Sequence, residues 1–470
     1  MEIEQVRHHV EVAWEDRVLP SLAEFVAIPA VSPAYDAQWR ERGHLRRAVE
    51  HVRGWLEANA PAGSTVDVVE LDGVPPLLFA EIPATPGASG EGTALLYGHL
   101  DKQPPFDGWS EGLGPWQPVL RGDRLYGRGA VDDGYAAYAA LTAVTAVRAG
   151  GGEHCRVVLA LEAGEESGSP GLPDYLDHLA DRLGRVSLVT CLDSGGGDFE
   201  RLWVTRSLRG ILQATLTVAV LQEAVHSGIA SGVVPSSFRI LRLLLDRLED
   251  PATGRILLPE LNAPIPPERV ADAQRLAELR PLSTLHPLSL VPGGRPAAGD
   301  EAERILNNTW RPTLSVTGAA GLPDVAEAGA VLRASTSLRL SFRLPPTVNA
   351  ADAAAALERV ATTDVPFGAS ATLTDVMAQD GWCAPEPPAW LSAALESGVF
   401  EAPHQFMGLG GGIPFMQMLG QAYPDAAFLV TGAVGAESNM HVPDEWLNIP
   451  FARQVTEAVA HVLAAHALQR

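Results

Sequence analysis

The sequence predicts an α/β fold: a mainly parallel sheet flanked by helices, interrupted by an inserted α+β domain. Three observations carry that expectation. Short apolar runs alternate with helical patterns through the first 207 residues, as the strands of a doubly covered sheet do. The middle of the chain switches to apolar–polar alternation, the mark of strands with one wet face. Finally, 470 residues exceed the roughly 250–300 at which a single core stops growing, so more than one domain is expected.

Taken in order, residues 5–25 and 43–60 read as amphipathic helices, with Val6, Val10, Trp14 and Val18 on one face. Apolar runs at Thr65–Leu71, Leu77–Ile82, Ala94–Tyr97, Arg156–Leu161 and Val186–Leu192 read as buried strands. An Ala-rich helix over 133–149 and a second over 172–183 lie among them. Residues 209–221 and 331–344 alternate in polarity, beside helical patterns at 235–249 and 350–361. The stretch 251–311 is rich in Pro and charge, with weak periodicity. Helices over 388–399, 412–421 and 448–468 and a buried strand at 426–431 complete the chain. The division expected is therefore 1–207 with 377–470 as one domain, and 208–376 as the insertion.

Composition narrows the function classes. There are 34 Lys and Arg against 57 Asp and Glu, a net charge of −23, with 46% hydrophobic and 19% charged residues. Sequence-independent binding to nucleic acid or anionic membrane needs clustered cations, so neither partner is expected. The three cysteines, Cys155, Cys191 and Cys383, are far apart and form no CxxC pair, which points to a reducing compartment and a cytoplasmic protein. The acidic first turns do not read as a signal peptide. The longest nearly apolar stretch, Tyr135–Val147, is too short to span a bilayer.

The residues that carry chemistry recur where apolar strands stop. His99-Leu100-Asp101 follows the run ALLYG, and in extended chain positions i and i+2 share a face. Asp101 could then serve as the outer partner that a metal-bound His requires, although HxD alone reads sooner as a solvated turn. Asp132-Asp133 precedes the Ala-rich helix, where one Asp is accounted for as a cap and the pair suggests metal binding. Glu165-Glu166 closes a buried strand, where the clefts of α/β sheets form. Adjacent glutamates repel unless a cation neutralises them or one holds a proton, so one can ligate while the other moves protons. Asp193 ends the strand VSLVTCLD, and His441 follows the strand at 426–431. Each singly is an ordinary loop residue. Together they form a cysteine-free His, Asp and Glu set of the kind that holds a hydrolytic zinc, manganese or cobalt centre. Two metals would require a bridging carboxylate and a separation of roughly 3.5–4 Å.

These motifs resemble the di-metal exopeptidases and amidohydrolases that include carnosinase-type dipeptidases, aminoacylase, carboxypeptidase G and succinyl-diaminopimelate desuccinylase. The similarity runs through GHLD at 98–101, RGAVDDGYAAY at 128–138, EAGEESGS at 162–169, LDSG at 192–195, HSG at 226–228 and MHVPDE at 440–445. The resemblance implies two divalent metal ions, zinc first, with manganese or cobalt as alternatives. It implies that Asp132 bridges them, that His99 and Asp193 complete one site, and that Glu166 and His441 complete the other. Glu165 would be the general base, Asp101 would orient His99, and the Asp132–Asp133 peptide would be cis. The insertion would act as lid and dimerisation domain, making the protein a homodimer, with His226 reaching the partner's site to steady the oxyanion. Arg343, in LSFRLPP, resembles the lid arginine that captures a substrate carboxylate.

Two departures bear on specificity. Where carnosinase-like relatives carry Thr or Asn before Val-Ile-Pro, this chain reads Ala330-Val331-Leu332-Arg333. Where they carry Gly-Gly-Ser-Ile-Pro, it reads Gly411-Gly412-Ile413-Pro414, so backbone amides of the glycines would replace a side-chain contact to substrate. The function expected is amide cleavage in dipeptides or short peptides by a metal-bridged hydroxide with a Glu general base. The alternative is deacylation of N-acyl amino acids with the same centre. A catalytically silent scaffold would lack a ligand or the base, and none is missing. His461 and His466 are read as packing or surface residues rather than ligands.

Overall fold

The computed structural model describes residues 1–279, 290–435 and 437–469. Its central sheet has six strands in the spatial order Thr65–Val69, Leu77–Ile82, Arg156–Glu162, Thr93–His99, Val186–Cys191 and Ala427–Val430. The last four pair in parallel, and the first two join antiparallel at one edge. Successive side chains point to opposite faces, so each strand feeds two cores. Leu78, Ala80, Leu96, Val157, Leu159 and Leu188 meet the layer containing helices Ile3–Ala13, His44–Asn59, Ala136–Ala149 and Ile449–His466. Leu77, Phe79, Leu95, Tyr97, Val158 and Val189 meet Leu172, Tyr175, Leu179, Phe415 and Met416 on the other side. Burial on both faces is why these strands read as unbroken apolar runs.

Element ends differ from the sequence expectation where no local signal marks them. The helix expected over 5–25 runs as Ile3–Ala13 and Leu19–Val26 around a π turn at Trp14–Val18. Trp14 is fully buried there and donates to Thr456 Oγ1 at 3.1 Å, tying the first helix to the last. The helix expected over 172–183 breaks at Leu179 into Leu172–His178 and Ala180–Leu183.

The second sheet is antiparallel throughout, ordered Thr313–Ala320, Ser335–Leu344, Gly210–Ala219 and Ser370–Gln379. Burial alternates residue by residue along its two central strands. Leu212, Leu216, Leu340 and Phe342 face inward against helices Ser237–Leu245 and Ala350–Thr362. The Pro- and charge-rich stretch holds two helices, Pro267–Leu279 and Glu301–Thr309, while its residues 280–289 lie outside the described residues. Ala273, Leu276, Ile305, Leu306 and Trp310 join the core of the first body, not that of the antiparallel sheet. Among the described residues, no helix is long and apolar enough to cross a membrane.

Register places the chemistry. His99 pairs with Glu162, and Tyr97 with Cys191, so three parallel strands end level. The segments that follow them, carrying Asp101, Glu165 with Glu166, and Asp193, therefore emerge side by side.

Candidate metal centre

His99 is buried at the end of its strand, and its Nδ1 lies 3.0 Å from the carbonyl oxygen of Asp101. A carbonyl only accepts, so Nδ1 carries the hydrogen and Nε2 turns toward the cluster. There Nε2 is 3.3 Å from Asp132 Oδ1 and 3.9 Å from Asp193 Oδ1. His441 Nε2 approaches from the opposite side, 2.8 Å from Asp132 Oδ2 and 3.5 Å from Glu166 Oε1. Asp132 thus stands between the two histidines, and the peptide that follows it, Asp132–Asp133, is cis. Ligand atoms of His99, Asp132 and Glu166 lie within 4.8 Å of one another, as do those of His99, Glu165 and Asp193.

The carboxylate of Asp101 does different work from its carbonyl. It accepts from the backbone N–H of Glu165 at 3.1 Å, from that of Glu166 at 3.0 Å, and from Ser32 Oγ at 2.6 Å. Its distance to His99 Nδ1 is 3.5 Å. It therefore caps the single turn Glu165–Ser167, fixing both glutamates through their backbone, while Gln103 donates to the Glu166 carboxylate. Behind the strand ends, Glu162 accepts from Tyr97 and from Ser169 Oγ, the latter at 2.8 Å.

Electrostatics at the cluster follow from crowding acids in a poorly solvated place. Burial, then the charges of Asp193 and Asp101, push Glu165 well above the carboxylate range despite His99. Burial and Asp132 push Glu166 up to about 11, and Asp193 rises for the same kind of reason. Asp132 goes the other way: burial opposes its charge, but the imidazoles of His441 and His99 facing it outweigh that and hold it below the usual carboxylate range. These acids stay ionised together only beside concentrated positive charge. His99 Nε2 and Glu166 Oε1 are moreover buried without a hydrogen-bond partner. Unpaired nitrogen and oxygen donors, converging without cysteine, fit a borderline divalent cation such as zinc, manganese or cobalt.

The remaining residues singled out from the sequence stand apart from this cluster. His226 is exposed at the end of strand Val225–His226, and its Nδ1 accepts from Gly228 N at 3.1 Å. Arg343 lies half-buried on Ser335–Leu344, in register with Ile211 and Thr313. Gly411 has open space around it, and a Cβ on Gly412 would sit 2.9 Å from the Arg209 carbonyl oxygen.

Arg209 is a residue that sequence reasoning passed over. Strands Trp203–Leu208 and Gln405–Leu409 pair in parallel with Leu208 beside Leu409, so Arg209 and Gly410 leave the sheet together. The buried guanidinium donates to Gly410 O at 3.0 Å and to the carbonyls of Asn307 and Arg311, both at 3.3 Å. Burial and the neighbouring Arg343 bring it down to about 10. A charged residue where an alternating strand begins was the available signal. Arg128 and Glu445, both inside the quoted motifs, were passed over too.

Residues 95–465 match the description of peptidase family M20/M25/M40. The chain belongs to that family. As an M20/M25/M40 member it is a metallopeptidase, a metal-dependent hydrolase of peptides. Among curated relatives, a cysteinylglycine-S-conjugate dipeptidase of Corynebacterium striatum is 25% identical over 380 residues, spanning 80% of this chain and 81% of the relative. The Beta-Ala-His dipeptidase of Homo sapiens is 27% identical over 366 residues, 74% of this chain and 69% of the relative. Among solved structures, an M20 family metallo-carboxypeptidase from Sulfolobus solfataricus superposes with a TM-score of 0.78 at 20% identity, covering 96% of this chain and 99% of that one. Human carnosine dipeptidase 1 gives 0.70 at 22%, covering 99% of both chains. At these identities the structural likenesses speak for the M20/M25/M40 fold, a helix-flanked and mainly parallel sheet.

Proposed function

We propose that this metallopeptidase cleaves dipeptides or short peptides with Glu165 as the proton-transfer residue. The observation that supports it best is the place of Glu165: its backbone is pinned by Asp101, and its carboxylate oxygen is grouped with His99 and Asp193. Asp132 would bridge two divalent ions, with His99 and Asp193 on one side and Glu166 and His441 on the other. Zinc is proposed first, with manganese or cobalt as alternatives. Bound there, such ions supply a Lewis acid for the amide carbonyl and lower the pKa of water.

The chain's own residues do the rest. The Glu165 carboxylate takes a proton from the attacking water as its oxygen bonds to the carbonyl carbon. As the C–N bond breaks, the same carboxyl returns the proton to the leaving nitrogen. Arg343 and the backbone at Gly411 and Gly412 would receive the substrate's carboxylate; a guanidinium fork suits that group.

Residues 1–207 with 377–470 would form the catalytic domain, and 208–376 the lid and dimerisation domain of a cytoplasmic homodimer. His226 would act at the partner's site. The exposed apolar side chains Ile229 and Val233, with Val331 paired directly to His226, support a protein surface covering that region.

The rival reading, removal of an acyl group from an N-acyl amino acid, draws on a 34% identity over 108 residues to the succinyl-diaminopimelate desuccinylase of Erythrobacter litoralis. One panel decides between them: free-amine dipeptides and N-acyl amino acids sharing the same C-terminal residue, assayed with zinc, manganese or cobalt. Cleavage of dipeptides alone is expected. The reverse preference would make the protein a deacylase, and no turnover of either class would remove both substrate assignments.

A further inference from the structure

We infer that the buried Arg128–Glu445 pair is a positioning device that sets where His441 stands relative to Asp132. The inference rests on the metal-centre reading above and assigns work to two residues outside the ligand set. Both side chains are fully buried, with Arg128 Nη1 and Glu445 Oε2 at 2.5 Å. Each partner also grips the other's loop. Glu445 Oε1 accepts from Gly129 N at 2.9 Å and from Val131 N and Asp132 N at 3.4 Å, collecting the backbone that leads into Asp132. Arg128 Nη2 donates to Val442 O at 3.3 Å, one residue after His441, and its Nε donates to Pro104 O at 3.2 Å. Short strands Arg124–Tyr126 and Trp446–Asn448 pair just beyond, so the two loops are zipped at one end and clamped at the other.

The loop needs such a clamp. Asn439, His441 and Asp444 all hold positive φ, at 54°, 66° and 62°. Non-glycine residues keep that backbone only where surrounding contacts over-determine it. A fork that donates in three directions and a carboxylate that accepts from a row of amides provide those contacts. The result is His441 Nε2 at 2.8 Å from Asp132 and 3.5 Å from Glu166. An outer partner of this kind aims a ligand without touching the ion, and its loss weakens metal affinity about 10- to 100-fold.

The test uses the full chain, stripped of metal and titrated with Co²⁺ alone by calorimetry, with thermal unfolding followed in parallel. Wild-type protein is expected to take two ions. Glu445→Gln should hold one ion at the wild-type affinity and the other about 10- to 100-fold more weakly. Arg128→Lys, which keeps the charge but loses the fork, should show the same split to a smaller degree, and it serves if the first variant does not fold. In a His441→Ala background, Arg128→Lys should cause no further weakening, because Arg128 grips the loop at Val442, beside His441. Two ions held as in wild type would overturn the inference. So would equal weakening of both ions in step with lost thermal stability, or a weakening that persists without His441. A wild-type chain that binds no cobalt would instead remove the metal-centre reading itself, and this inference with it.

Discussion

Replacing Asp101 by Asn separates two roles that one residue can play. The carboxylate has three donors around it: Glu165 N–H at Oδ1, and Glu166 N–H with Ser32 Oγ at Oδ2. An amide fits the same space but must turn its NH₂ toward one side. The cheaper choice keeps oxygen at Oδ2, where two donors converge, and faces NH₂ to Glu165. That orphans a buried backbone N–H, at about 1–3 kcal/mol. The two bonds that remain lose charge assistance, about 1 kcal/mol each. Lifting one negative charge from beside Glu165 and Asp193 returns part of this, so a net loss of about 2–4 kcal/mol in the turn is expected. Since the orphan is Glu165 itself, kcat should fall about 100-fold, the usual consequence of misplacing a reacting group by about 1 Å. The assay is dipeptide hydrolysis at saturating metal, with metal affinity read by competition against a chelator. Affinity should change less than kcat, because His99 keeps its bond to the Asp101 carbonyl. If affinity collapses while the metal-saturated enzyme turns over normally, the carboxylate works through His99 and the argument from the turn is wrong.

Three further outcomes are expected. Glu165→Ala should retain both metal ions and lose about 10²- to 10⁴-fold in kcat, the span of general acid–base catalysis; retained turnover would remove the proton-shuttle role. Static light scattering at micromolar concentration should report a dimer, and a monomer with full activity would take His226 out of the mechanism. His466 is held neutral by burial, which brings it down to about 4, below its usual 6.5. The unfolded chain therefore binds the extra proton between those values, and stability present above pH 6.5 is lost as pH falls toward 4. At pH 5 the loss is about 2 kcal/mol. Urea unfolding of His466→Gln at pH 7.5 and pH 5 should show that much less acid sensitivity than wild type, and an equal sensitivity would refute the assignment.

Much of this architecture is written locally. The central strands are legible because burial on both faces leaves nothing but apolar residues in them, as in Leu77–Ile82 and Thr93–His99. The alternating pattern of Gly210–Ala219 declares a sheet with one open face just as plainly. His99 and Asp193 are legible only as members of a set, since each alone reads as an ordinary loop residue and only their recurrence at strand ends points to a site. What escapes is whatever depends on distant partners. Asp101 invites pairing with His99, two residues away, yet its carboxylate spends its bonds on amides 64 and 65 residues later. Arg128 and Glu445 meet across 317 residues, and nothing near either announces the other. The helices Pro267–Leu279 and Glu301–Thr309 were hidden for a related reason, since their few apolar residues answer to the first body's core rather than to their neighbours in sequence.

The spread of the proposed ligand set along the chain also has a bearing on synthesis. His99, Asp132, Glu165, Glu166 and Asp193 leave the ribosome between 248 and 342 residues ahead of His441. At about 5–20 residues per second, the nascent chain carries Asp193 for roughly 12–50 s, and the earlier acids for longer, before His441 is made. The strand Ala427–Val430, which borders Val186–Cys191, and the helix Ile449–His466, which meets Trp14 through Thr456, come in that same closing interval. The edge strand of the sheet and the last of the proposed ligands are thus made close together. With His441 as a ligand, as proposed above, the metal centre would stay incomplete until the segment that carries it docks.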